Sequence, residues 1–155
     1  MKFSWKKLLI GLAIPLGTGG LAALLSGGMD SYRTLNQPPL SPPGWLFPIV
    51  WSILYLLMGY ASYRIYTADA PASARKQALI LYGAQLLANF LWPIVFFRFH
   101  WYWAAFLLLA ILWVLIYLTM QLFSPIDETA EDLLIPYLLW VTFAGYLNLG
   151  VALLN

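Results

Sequence analysis

The chain has no cysteine, which excludes disulfides, thiolate nucleophiles and cysteine-ligated metals and leaves the redox compartment open. Charge is almost as scarce: 9% of its 155 residues are Asp, Glu, Lys or Arg, against roughly 25% in a soluble domain. The net charge of +2 is small and scattered, which speaks against a nucleic-acid partner. There is a single histidine, His100, and no Ser/His/Asp set, carboxylate pair, metal-ligand cluster or phosphate-cradling glycine loop. Gly17, Gly19 and Gly20 lie inside an apolar run with no strand before them, so they are not a dinucleotide fingerprint.

What fills the space is apolar. The composition is 63% hydrophobic with mean hydropathy +0.79, more than a soluble core of this length can hide. The charges divide the chain into five uncharged stretches, each able to hold the roughly 20 residues that cross about 30 Å of hydrocarbon as helix. No ten-residue alternating segments of a transmembrane barrel appear. The expectation is an all-α, five-transmembrane-helix bundle forming a single domain over 1–155, with helices near 7–28, 45–65, 77–97, 101–123 and 132–153. Lys2, Lys6 and Lys7 before the first run resemble a signal peptide, but that run is too long for one, so it reads as a retained span. Basic residues concentrate in the N-terminal segment and second connection (Arg64, Arg75, Lys76), placing the N-terminus inside. Trp5, Trp45, Trp101, Tyr102 and Trp103 sit at span ends, as interfacial anchors do. The acids of 124–132 read as a solvated helix cap.

No ionisable side chain lies well inside a span, which argues against proton- or ion-coupled transport. The polar inventory there is amides, hydroxyls and indoles, able to hydrogen-bond a ligand. Three faces combine an aromatic with a small or hydrogen-bonding residue: Pro48, Trp51 and Tyr55; Gln85, Asn89 and Trp92; Trp140, Ala144 and Asn148. Such faces suit either an amphipathic-ligand pocket or interhelical packing with amide cross-bonds. Trp113 is a fourth deep indole. Gly19, Ala23 and Gly27 form a small-xxx-small face, for packing within the bundle or for a homodimer; Ala84 and Ala88 repeat it more weakly. His100 reads as a surface residue or, alternatively, a haem-iron ligand.

"PPLSPPGWLFPIVWSILYLLMGYASY" (38–63), "AQLLANFLWPIVFF" (84–97) and "LIPYLLWVTFAGYLNLGVALLN" (134–155) closely resemble the TspO/MBR family, the tryptophan-rich sensory proteins related to the mitochondrial translocator protein. The match runs in order over essentially the whole chain. The resemblance implies a five-helix bundle, commonly dimeric, binding porphyrins such as protoporphyrin IX and haem as ligands, with no obligatory cofactor and no metal site. Carried onto matching positions, it places Tyr32, Trp51, Tyr55, Asn89, Trp92, Trp140 and Ala144 in the pocket. Trp51 and Trp140 match the tryptophans implicated in photo-oxidative porphyrin breakdown. The chain departs from the pattern at Ser31, which precedes Tyr32, and at Leu40, where the family often has tryptophan. No Lys or Arg follows Tyr146, so the animal sterol motif is incomplete.

The resemblance also makes the first connection, 29–44, a lid. Pro38, Pro39, Pro42 and Pro43 fit that role, since proline fixes φ and restricts the residue before it. A stiff cover loses little entropy on closing. The expected function is a membrane receptor or sensor for porphyrins and similar amphipathic ligands, linked to tetrapyrrole or stress responses. The alternatives are a light- and oxygen-dependent porphyrin-degrading activity and a transporter of porphyrin or sterol-like molecules. The expected location is a bacterial cytoplasmic membrane, with an outer or mitochondrial outer membrane as the alternative.

Overall fold

The structure is a computed structural model that describes residues 3–28 and 30–155. Lys2, counted for orientation, and Met29, at the start of the expected lid, lie outside the described residues. Among the described residues six α-helices follow one another: α1 (Trp5–Leu25), α2 (Leu46–Tyr66), α3 (Ala72–Pro93), α4 (Tyr102–Phe123), the short α5 (Glu128–Asp132) and α6 (Ile135–Leu154). They make up five segments long and apolar enough to span a bilayer, with α5 and α6 sharing the last, Glu128–Leu154, and this is the number of spans expected.

The boundaries have local causes. Ser4 caps α1, its hydroxyl accepting from the Lys7 amide, and the Ser4 amide donates to the Tyr63 hydroxyl at 2.9 Å. α1 ends at Leu25 rather than 28, because Gly27 and Gly28 take φ of +82° and +88° and turn the chain toward the lid. α3 begins five residues earlier than expected, at Ala72, since Pro71 is compatible with a helix start and Arg75 and Lys76 are accommodated in its first turns. Beyond Pro93 it continues as a π-helical turn, Ile94–Arg98. The last expected helix appears as α6, starting three residues later than expected with Pro136 in its first turn, and the connection before it holds α5, capped by Asp127.

Asp127 is more than a solvated cap. Its carboxylate accepts from the Thr129 amide at 2.9 Å and from Arg64 Nε at 2.9 Å, with its side chain only 11% exposed. It thereby ties α5 to the end of α2.

α3 and α4 pair along most of their length, as their three-residue connection demands, and α4 also packs on α6. α1 crosses α2 at glycines: a Cβ placed on Gly59 would lie 2.7 Å from the Gly11 carbonyl oxygen. Pro15, four residues on, has no N–H to offer that carbonyl, which leaves it free for the close approach. The main core joins α2, α3, α4 and α6 around Met58, Ile65, Leu112, Ile116, Phe123 and Tyr137. Exposed Leu9, Leu24, Ile53, Leu87, Leu107 and Leu139 cover the exterior, as a lipid-facing surface requires. The end-of-span indoles Trp5, Trp45, Trp101 and Trp103 are exposed too. Trp113 also faces out, its ring stacked on Tyr117 and its N–H donating to Thr142 Oγ1 at 2.9 Å.

Candidate ligand-binding cavity

α2 and α6 approach each other little along their backbones. Large side chains bridge the gap instead, and at the end of the bundle away from the N-terminus they leave a hollow of about 370 Å³. That lies at the low end of the roughly 300–1,000 Å³ typical of ligand pockets. Its walls are overwhelmingly apolar.

Nine of the ten expected site residues line it: Tyr32 from the lid, Pro48, Trp51 and Tyr55 from α2, Asn89 and Trp92 from α3, and Trp140, Ala144 and Asn148 from α6. Their rings form a connected array. Phe47 meets Tyr32 and Trp140 edge-on, with centroids 5.2 and 5.8 Å away. Deeper in, Trp51 tilts against Tyr55 at 5.7 Å and meets Tyr137 edge-on at 6.2 Å. These separations are those of favourable aromatic pairs.

Gln85 does not line the cavity. It lies one helical turn beyond Asn89, on the same face, where Tyr137 closes over it and leaves it 1% exposed. There it serves a relay of hydrogen bonds beneath the floor. The Tyr55 hydroxyl donates to Asn89 Oδ1 at 2.9 Å, Asn89 Nδ2 donates to the Tyr137 hydroxyl at 2.7 Å, and that hydroxyl donates to Gln85 Oε1 at 2.7 Å. A second relay runs from Trp92 Nε1 to Asn148 Oδ1 and from Asn148 Nδ2 to the Tyr102 carbonyl, each 2.9 Å. Both carboxamides at the cavity wall are thus already engaged within the protein. The expectation that amides would greet a ligand gives way to one in which they hold the aromatic walls in place. The Trp140 Nε1 donor, by contrast, is buried with no partner among the described residues.

The lid is the segment from Asp30 to Trp45, opening with a 3₁₀ turn, Asp30–Thr34. Its Tyr32 hydroxyl donates to the Pro42 carbonyl at 2.9 Å, and burial pushes the phenol pKa up, so it remains a neutral donor. Pro38 is buried against Gly150, where a Cβ would lie 2.4 Å from the proline ring. The Tyr146 hydroxyl donates to the Pro39 carbonyl at 2.7 Å, and Asn36 and Asn155 exchange bonds of 3.1 and 2.9 Å. The proline-rich stretch is therefore seated along the last turns of α6. At its tip Leu40 is exposed, with φ of 70°.

The sequence reading missed the contribution of α1 and of the π-helical turn. Gly19, Ala23 and Ser26 form one wall, and Phe96 and Phe97 another. The signal was the run of small residues in α1, read as a packing face: Gly19 does pack, its missing Cβ leaving room for the Tyr55 ring that would otherwise stand 2.2 Å away. Gly27, expected to continue that face, lies past the helix end.

The TspO/MBR family model matches residues 10–154. The "Tryptophan-rich protein TspO" of Chlorobaculum tepidum is 36% identical over 148 residues, covering 96% of this chain and 94% of its own. The "Tryptophan-rich sensory protein" of Cereibacter sphaeroides is 36% identical over 155 residues, covering 100% and 95%. The "Translocator protein homolog" of Schizosaccharomyces pombe is 43% identical over 144 residues, covering 92% and 88%. A family match over nearly the full length and five apolar span-length segments agree: the chain is an integral, multi-pass membrane protein that belongs to the TspO/MBR family.

Proposed function

We propose that the protein is a membrane receptor or sensor that binds porphyrins, such as protoporphyrin IX or haem, and similar amphipathic molecules in the cavity beneath the proline-stiffened lid. One observation carries the reading: Trp51, Trp92 and Trp140, from three helices, converge on one hollow whose walls are mostly apolar. Flat faces and an uncharged wall favour a planar, apolar ligand, held by stacking and dispersion. The N-terminus lies inside and the lid outside in a bacterial cytoplasmic membrane, and the protein acts as a homodimer.

Titration of purified protein with protoporphyrin IX, followed by tryptophan fluorescence, tests this. Saturable quenching is expected, weakened when Trp51→Phe and Trp140→Phe are combined. Absent saturation, or quenching identical in the double variant, refutes the site.

The presence of both Trp51 and Trp140 at the cavity wall also favours a second reading, in which light excites the bound porphyrin and these indoles take part in its oxidation by oxygen. Illumination with oxygen should then bleach the porphyrin in the wild type and not in Trp51→Phe. Porphyrin absorption that stays constant under light and oxygen removes it. A third reading, transport, draws on the word "translocator" in the name of a relative; flux into proteoliposomes no greater than into empty vesicles disposes of it.

A further inference from the structure

The cavity does not end at its apolar walls. A second, open hollow of opposite character adjoins it, and the two share Ser26, Gly28 and Phe97. Arg98 and His100, from the connection between α3 and α4, border this outer hollow together with Asp30 of the lid. The connection is held in a fixed turn. The Phe99 amide donates to the Ile94 carbonyl at 3.2 Å and the Trp101 amide to the Val95 carbonyl at 3.1 Å. His100 itself sits at φ of 56°, in the left-handed region. Among the described residues the ion pair is Arg64–Asp127, and Arg98 takes part in none.

An arginine at the end of a helix complements its dipole, which accounts for a cation near this position. It does not account for a polar hollow bordered by that cation whose rim residues Ser26, Gly28 and Phe97 also line an apolar chamber. The chamber is near the lower limit of ligand-pocket volumes. A macrocycle stacked on Trp51 and Trp140 would therefore leave an edge in the opening, where the guanidinium and imidazole stand. A planar fork of N–H donors suits a carboxylate at that edge. Asp30, on the same rim, would repel the same carboxylate.

We propose that Arg98 and His100 form a carboxylate-binding subsite at the mouth of the cavity, selecting apolar ligands that carry an ionised acidic edge over their neutral esters. The choice of a porphyrin as probe rests on the function proposed above; the subsite itself is tested with and without one.

Full-length protein in nanodiscs is titrated with protoporphyrin IX and with its dimethyl ester, and separately with pyrenebutyrate and its methyl ester. The wild type should prefer each acid by about tenfold, the size of one charge-assisted contact at a partly wet site. Arg98→Gln should abolish that preference while leaving ester affinity unchanged, which also shows that the variant is folded. Asp30→Asn should strengthen binding of the acids alone. Absence of an acid preference in both probe pairs, or equal loss of acid and ester in Arg98→Gln, overturns the subsite. If the porphyrin pair fails to bind while the pyrene pair shows the preference, the porphyrin reading falls and the subsite stands.

Discussion

Gly150→Ala should unseat the lid. A Cβ at this position would stand 2.4 Å from Pro38 Cγ and 2.5 Å from Pro38 Cβ, where ordinary contact begins at 3.4 Å. Proline cannot swing its ring aside, so the lid backbone must retreat by 3.4 − 2.4, about 1 Å. Carried to the neighbouring residue, that movement would stretch the 2.7 Å bond from Tyr146 to the Pro39 carbonyl toward 3.7 Å, beyond bonding range. One lost hydrogen bond and part of the Pro38 burial together cost about 2 kcal/mol, roughly 30-fold in the ratio of closed to open lid. Hydrogen exchange at the Asn36 amide, which donates to Asn155 across the seat, should accelerate accordingly, and bound protoporphyrin should leave faster. Pro38→Gly removes all three clashing ring atoms, so Pro38→Gly with Gly150→Ala should be no worse than Pro38→Gly alone. Exchange in Gly150→Ala equal to the wild type, or effects that simply add, would refute the seating of the lid on α6.

The same geometry sets three further expectations. Gly19→Ala places a methyl 2.2 Å from the Tyr55 ring, driving that ring into the cavity and off Asn89; protoporphyrin affinity should fall tenfold or more with stability lowered by about 1–3 kcal/mol, and unchanged affinity in calorimetry would mean that the ligand sits elsewhere. Tyr137→Phe strips Asn89 Nδ2 and Gln85 Oε1 of their partner, a loss of about 2 kcal/mol by unfolding in mixed micelles; adding Gln85→Leu should recover part of it, and a purely additive double variant would contradict the relay. Asp127→Ala removes both the α5 cap and the partner of Arg64, about 1–2 kcal/mol in the same assay, whereas Asp127→Asn should lose less because an asparagine still caps; equal losses would assign the whole effect to the ion pair.

How much of this was legible in the sequence differs by level. The five spans were, because lipid permits only backbones that satisfy themselves, and scarce charges mark where such segments stop. The faces carrying Trp51, Asn89 and Trp140 were also legible, since helical spacing fixes which residues share a side. Depth along a face was not: Gln85 and Asn89 share a side, but only the tertiary arrangement shows that Tyr137 closes over one and not the other. Nor did spacing show which way Trp113 turns, because an indole whose N–H reaches Thr142 on the neighbouring helix is at ease facing lipid. Gly27 was misplaced because a glycine reads alike as a packing residue and as a helix stop until its φ is known.

The role of the buried amides follows from the same physics. A carboxamide free to greet ligands would need partners in the empty state too, and an apolar chamber offers none. Here Asn89 and Asn148 are engaged from both ends by Tyr55, Tyr137, Trp92 and the Tyr102 backbone. They hold α3 to α2, α6 and α4 around the hollow without contributing a free polar group to it. Discrimination among apolar guests must then come from shape, from the unpartnered Trp140 N–H, from the lid, or from the outer hollow that Arg98 and His100 border. Weakening the inner relays should therefore lower stability and affinity for all guests together. Changing the outer charges should alter the choice between guests while leaving stability alone. If Tyr137→Phe changed acid-over-ester preference as strongly as Arg98→Gln does, this division between scaffold and selector would be wrong.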